Sequence, residues 1–272
     1  MVVTGGVDGD AVLFSKSQRK KIATLSAHSK AVTQVTFHPE STVIATGSRD
    51  KTVRLWSAPD NSVDYKVKAT FSGHKAEVTG VVFHPLNEYL VSSSMDQTWA
   101  FHSIETGQTL VTASAPSVSS PILSCDVHPD CLLLATGQQN GGVGLWNIST
   151  QSVVMSFGDH AGGVRGLKFS ESGYEVITAG ANEIALWDLR KMNQKKAIAQ
   201  LPGKFDLSSI ALTHSGAYVA ASGSGIKIFD VASFEEVVTL SSHADRVTGI
   251  KWDRSGSSLA SVSLDRNLKI FA

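Results

Sequence analysis

Histidine, a hydroxyl residue and aspartate recur together along this chain, and that trio is the chemistry of a hydrolase, in which the hydroxyl attacks, His takes its proton and Asp holds the imidazole. His28 stands 22 residues before Asp50 with Thr46 between them, His74 stands 22 before Asp96 with Ser92 between them, and His243 stands 22 before Asp265. A catalytic centre needs one copy of its constellation beside one substrate pocket. A set repeated at fixed spacing has a structural role in every copy, so no residue is assigned as catalytic.

The elements that must position these residues repeat as well. Phe14, Trp56, His102, Trp146, Trp187, Phe229 and Phe271 each close a short apolar run, with gaps of 42, 46, 44, 41, 42 and 42 residues. A period of about 40–45 residues belongs to a four-stranded propeller blade. Between His and Asp lie two runs rich in Val, Ile and Phe: Val32 to Phe37 then Val43 to Thr46, Val78 to Phe83 then Tyr89 to Ser92, Val247 to Trp252 then Leu259 to Val262. Each is bounded by His-Pro, Ser-Gly or Asp turns, which reads as strand throughout, with no helical period. The fold class is therefore all-β, a seven-bladed β-propeller occupying residues 1–272 as one domain.

These residues resemble the WD-repeat family, with Ser72-Gly73-His74 and Leu186-Trp187-Asp188 as its literal signatures. The resemblance implies a buried relay in which the turn Asp accepts from the loop His, the His reaches a hydroxyl, and the hydroxyl meets the Trp N–H. The residues it assigns are His28, Thr46, Asp50 and Trp56, then His74, Ser92 and Asp96, then His160 and Trp187, then His243 and Asp265. Such a relay tolerates burial only when every member is satisfied. Four repeats depart from it: His102 stands where Trp is usual, the fourth has Val118 for His and Asn140 at the turn, the fifth is one residue short between His160 and Trp187, and the sixth has no His.

Composition narrows the remaining classes. The 272 residues are 42% apolar, enough for a large core, and no apolar run approaches the 18 or so residues of a membrane helix. Cys125 and Cys131 flank the His128-Pro129-Asp130 turn; the expectation is two free thiols and no metal or other cofactor, with a site formed by the pair and His128 as the lesser alternative. Net charge is zero, from 24 basic and 24 acidic residues, which argues against binding dominated by phosphates. Two basic clusters, Arg19-Lys20-Lys21 and Arg190-Lys191 to Lys195-Lys196, are placed between third and fourth strands as solvated connections, an RNA contact being the lesser reading.

Counting strands, the first blade starts at its second strand, Val2 to Gly6, and the last stops at its third, Asn267 to Phe271. First and last blades incomplete in this way imply a longer parent protein, and a version extended upstream by ~20 residues is expected to be more soluble and more stable.

Several segments are similar to the propellers of one branch of the family, the U-box ubiquitin ligases of the spliceosome: Val3-Thr4-Gly5-Gly6, Ser94-Met95-Asp96-Gln97-Thr98-Trp99-Ala100-Phe101, Leu186-Trp187-Asp188-Leu189-Arg190-Lys191 and the run from Leu264 to Phe271. Trp99, three residues after the turn Asp where a small β-branched residue is usual, is the most discriminating. The resemblance implies a nuclear protein of pre-mRNA splicing and of DNA repair, whose U-box and tetramerising coiled coil lie outside this chain, so that the chain itself is monomeric, lacks ligase activity and recruits substrates and spliceosomal proteins. Its partner face would carry the residues just before the turn Asp and just after the loop His: Arg49, Met95, Gln139 and Leu264 with Lys30, Lys75, Glu77, Asp245 and Arg246. Two alternatives stay open. Trp187-Asp188-Leu189-Arg190 resembles the Trp-Asp-x-Arg ending of substrate receptors for cullin-based ligases, where the Arg contacts the adaptor. A general scaffold or histone-tail reader would need an acidic mouth, which Lys30, Arg49 and Arg246 disfavour.

Overall fold

A computed structural model describes residues 1–59, 62–191, 195–203 and 205–272. Every regular element among them is a β-strand, grouped in seven antiparallel sheets whose strands follow one another in sequence order. The first sheet (residues 2–26) and the last (247–271) have three strands each, and the five between them have four. These are the blades of a seven-bladed β-propeller fold.

By their contacts the residues form two compact units, and the division runs through the fourth sheet, residues 122–157. The first unit contains the first three sheets entire. Its cores are built from alternate residues of adjacent strands: Ala11, Leu13, Leu25, Ile44 and Trp56 form one cluster, Ala45, Val53, Leu55, Phe71, Val78 and Leu90 the next. A third gathers Trp99, Val118, Ile122, Cys125 and Trp146, with the two indoles edge to face at 5.9 Å. The second unit contains the last three sheets, and its largest cluster runs from Ile177 and Ile184 through Phe205 and Ile210 to Val219 and Phe229.

One register rule places the relay residues. The aromatic closing the third strand pairs across the second strand with Ile44 (Trp56), Leu90 (His102), Val176 (Trp187), Val219 (Phe229) and Leu259 (Phe271). Side chains alternate faces along a strand, so the residue two further on lies on the same face, at Thr46, Ser92, Thr178, Ala221 and Ser261. On its other side the third strand meets the fourth through a register shift at the aromatic, as at Leu55/Trp56, Phe101/His102 and Leu186/Trp187. Such a bulge sharpens the local twist where the strands end.

The His-Pro turns do more than reverse the chain. His38 Nε2 donates to Asn87 O at 2.8 Å, His84 Nε2 to Cys131 O at 3.2 Å and His128 Nε2 to Gly173 O at 2.7 Å, each reaching the equivalent turn of the following sheet. Nδ1 of each accepts the backbone N–H two residues on, from Glu40, Leu86 and Asp130. All three acceptor residues have positive φ, 61°, 70° and 72°.

The turns between second and third strands pack with little clearance. A Cβ on Gly141, at φ +91°, would lie 2.1 Å from His160 O, backbone that cannot move aside. Gly141→Ala is expected to cost about 3 kcal/mol, combining left-handed strain with overpacking. Gly216→Ala, at φ +72° with nothing within 4 Å, should cost only the strain, about 1 kcal/mol. Paired denaturant titrations test the difference, and equal costs would rule out the packing contribution.

The structure shifts one sequence expectation. Lys20 and Lys21 lie within the strand Lys20–Ser26, and Lys195 and Lys196 within Lys195–Gln200; only Arg19, Arg190 and Lys191 are in connections, and residues 192–194 fall outside the described residues. The bulge before each fourth strand absorbs a residue that a strand count assigns to the turn.

Candidate functional site

In the second sheet His28 Nδ1 lies 2.8 Å from Asp50 Oδ2, His28 Nε2 lies 2.7 Å from Thr46 Oγ1, and Trp56 Nε1 donates to Thr46 Oγ1 at 2.9 Å. The indole can only donate, so the Thr46 hydroxyl accepts from it and gives its own proton to His28 Nε2. His28 therefore carries its proton on Nδ1, pointing at the carboxylate. Asp50 also accepts from Ser29 N, Thr52 N and Thr52 Oγ1. Burial pushes its carboxyl up, but Thr52 and His28 more than offset this and hold it down at about 2. For His28 burial dominates over the Asp50 charge and lowers its pKa, which suits a neutral ring.

The third sheet lengthens the same chain. His74 lies 3.2 Å from Asp96 and 2.8 Å from Ser92, whose hydroxyl is 2.8 Å from His102 Nε2, while His102 Nδ1 is 2.9 Å from Thr109 Oγ1. Donors and acceptors fit only one direction: Thr109 to His102, His102 to Ser92, Ser92 to His74, His74 to Asp96. His102 thus stands in for Trp as donor to the hydroxyl while accepting at its other nitrogen, which an indole cannot do. Its ring also packs on Phe71 at 4.4 Å. Burial drives its pKa down to about 3. In the seventh sheet His243 bridges Asp265 at 2.8 Å and Ser261 at 2.7 Å.

The irregular repeats solve the same packing problem in other ways. In the fifth, His160 Nε2 is 2.7 Å from Thr178 Oγ1, and Trp187 Nε1 donates to Thr178 at 2.7 Å. The shortened turn carries no Asp, and Glu183, the first residue of the strand Glu183–Asp188, places Oε1 2.8 Å from His160 Nδ1. Lys195 meets that carboxylate at 3.1 Å and Asp159 at 2.5 Å. In the sixth, Phe205 occupies the place of the loop His, Ala221 that of the hydroxyl and Phe229 that of Trp, all in one apolar cluster. In the fourth, Val118 is buried against Trp146. Sequence reasoning missed Glu183 and Phe205. Counting four residues back from the first strand, Ser209–Leu212, would have found Phe205.

The relay hydroxyls are out of reach of any substrate: Thr46, Ser92 and Thr178 are 0% exposed. Among the described residues no group of three or more His, Cys, Asp or Glu could hold a metal ion. Cys125 and Cys131 form no disulfide, and His128 is engaged as described above.

The turn ends above the relays hold the surface residues. In the first unit Arg49 N donates to Ala31 O and Met95 N to Glu77 O, Lys75 N donates to Asp96, and Arg49 Nε lies 3.5 Å from Glu77. Lys30, Arg49, Glu77, Met95 and Lys75 are thereby contiguous, with Met95 half-buried and the others exposed. In the second unit Leu264 N donates to Arg246 O, the third instance of the same contact, and Oγ of the preceding Ser263 donates to Asp245 O. Arg246 is drawn inward, its guanidinium meeting Asp206 at 2.6 Å, Ser208 at 2.8 Å and Leu207 O. With Asp206, Asp245 and Ser224 it lines an open cleft of about 390 Å³. Gln139 is exposed on its own turn. Arg190 is held by Asp188, through Nε at 3.0 Å and Nη2 at 2.8 Å, and lies over the Tyr174 ring at 4.7 Å.

Comparison with known proteins agrees with this geometry. The chain is 36% identical over 277 residues to pre-mRNA-processing factor 19 of Oryza sativa subsp. japonica, covering all of this chain and 52% of the rice protein. It is 34% identical over 271 residues to the Homo sapiens protein of that name, again over all of this chain and 53% of the relative. A more distant relative, the periodic tryptophan protein 2 homolog of Caenorhabditis elegans, is 22% identical over 279 residues. The chain thus spans about half the length of the curated pre-mRNA-processing relatives it matches. The WD domain, G-beta repeat family matches residues 19–57, 65–103, 107–147, 151–188 and 234–271. With the same residues forming the blades and carrying the histidine relays, this chain belongs to the WD-repeat family.

Proposed function

We propose that this chain is the partner-recruiting propeller of a nuclear U-box ubiquitin ligase acting in pre-mRNA splicing. What carries the reading is the alignment of the whole chain with relatives named pre-mRNA-processing factor 19 at 33–37% identity. The site supports it by exclusion of chemistry: hydroxyls sealed in the relays leave recognition as the task of the surface above them. In this reading the ligase module and an oligomerising segment belong to the remainder of the protein, and the propeller holds targets near them, raising their effective concentration. A role in DNA repair would use the same recruitment.

The contiguous set Lys30, Arg49, Lys75, Glu77 and Met95 is the proposed contact surface, with a half-buried apolar side chain among charges as interface centres have. Arg49→Glu with Lys75→Glu is expected to reduce capture of spliceosomal proteins from nuclear extract at least tenfold while leaving the melting temperature within about 2 °C, both side chains being exposed. Undiminished capture by the folded double variant would move the site elsewhere. Arg190→Ala serves as the discriminating control for the cullin-receptor alternative. Capture of a cullin adaptor lost in Arg190→Ala would replace the splicing reading.

A further inference from the structure

The hairpin joining the strands Asp10–Ser15 and Lys20–Ser26 carries a run of cations whose charge is not answered. Arg19, Lys20 and Lys21 are all exposed, and among the described residues none of them meets a carboxylate. The other basic stretch differs: Arg190 is held by Asp188, Lys195 by Asp159 and Glu183, and Lys196 by Glu175. The turn itself is ordered. Ser15 Oγ lies 3.1 Å from Ser17 Oγ and accepts from Gln18 N at 3.1 Å, and Arg19 closes the turn at φ 50°.

We infer that this hairpin is a contact site for the phosphates of a single nucleic-acid strand. Arg19 at the end of an ordered turn, followed by Lys20 and Lys21 at the head of the edge strand Lys20–Ser26, presents positive charge at short spacing, and hydroxyls beside them are further phosphate donors. The surroundings argue against a protein partner. No large hydrophobic side chain from position 8 to position 62 is exposed among the described residues, and the exposed Met1, next to Val2 which pairs with Phe14, is a single side chain and not an apolar patch, whereas protein interfaces are centred on clustered aromatic or apolar anchors. A duplex-reading site is also disfavoured, because no helix exists among the described residues and the hairpin is not a free two-stranded ribbon, its strand Asp10–Ser15 being paired on the other side with Val2–Gly5. The chain as a whole is neutral, so attraction comes from the patch alone and the number of phosphates neutralised is about three. This surface is separate from the recruiting surface proposed above, and neither inference depends on the other.

The experiment is fluorescence anisotropy of the protein with a labelled 20-residue oligouridine RNA, and with a DNA oligothymidine of the same length, at salt from 50 to 200 mM. Three phosphate contacts give a log–log salt slope of about −2, so affinity should fall roughly 20-fold across that range. Arg19→Gln, Lys20→Gln and Lys21→Gln together should weaken binding at least tenfold with circular dichroism and melting temperature unchanged, and Arg254→Gln, at an exposed position away from the hairpin in sequence, should bind like the parent. RNA and DNA should bind within a few-fold of each other, as phosphate contacts carry no base information. The proposal is overturned by absence of binding at 50 mM salt, by a triple variant that binds like the parent, or by a tenfold preference for either sugar. Displacement of the RNA by polyglutamate of matched charge at equal concentration would assign the hairpin to an acidic protein instead.

Discussion

Replacing Asp50 by Ala should lower the melting temperature by about 10 °C. The side chain accepts from His28 Nδ1, the backbone N–H groups of Ser29 and Thr52, and the Thr52 hydroxyl, and its removal takes the acceptor from four donors, leaving His28 Nδ1 with the long contact to the Thr52 hydroxyl at 3.3 Å. Leaving a buried donor unsatisfied costs about 1–3 kcal/mol, so the donors stranded together cost about 3 kcal/mol, and in a chain of this length each kcal/mol moves the midpoint by about 2–4 °C. Asp64→Ala is the matched control: its partner Lys66 is 3.3 Å away with both side chains mostly exposed, and surface pairs contribute about 0–1 kcal/mol. Differential scanning calorimetry of both variants decides the matter. Equal midpoints for the two would mean that the relay contributes no more than a surface ion pair.

Acid should destabilise the protein well before its carboxylates titrate. His28, His84, His102 and His160 all have lowered pKa values, with burial the largest cause in each. A histidine held neutral in the fold but free to protonate when unfolded contributes stability that is fully present above about 6.5 and lost as pH falls toward the folded value. For His102, held down at about 3, that loss amounts to about 2 kcal/mol at pH 5, since 1.5 units at 1.36 kcal/mol each separate pH 5 from 6.5. Below about 4 the aspartates follow in the same direction: Asp50, held down at about 2, gives up its contribution as pH drops from the unfolded carboxylate range through that value. Urea midpoints measured from pH 7.5 to 5 should therefore fall, and His102→Trp should flatten the dependence, because an indole supplies the N–H to Ser92 without titrating. A pH profile identical in parent and His102→Trp would show that this ring does not set the acid limb.

The regularities were legible because they are spacings. His28, Asp50 and Trp56 fix the rule, and the strand bounds Val32–Phe37, Val78–Phe83 and Val247–Trp252 fall where the apolar runs place them. What spacing cannot reveal is substitution by another route. Glu183 brings a carboxylate oxygen to within 2.8 Å of His160 Nδ1, without an aligned hydrogen bond, from inside a strand because the fifth turn is a residue shorter, and no motif looks for an acid there. The reach of His38, His84 and His128 to the next sheet depends on a left-handed carbonyl about 45 residues away, invisible to a reading that treats His-Pro as punctuation. Arg246 reads as a surface cation by position, yet Asp206 and Ser208, from the loop preceding another sheet, fold it inward.

The apolar filling of the sixth sheet gives the protein two kinds of stave with opposite responses to temperature. Phe205, Ala221 and Phe229 rely on burial of hydrocarbon, whose driving force fades as water cools, while the second and third sheets are fastened by hydrogen bonds that do not share that dependence. At that one position chilling therefore weakens the sixth sheet where the second and third keep their fastening, just as acid weakens the third.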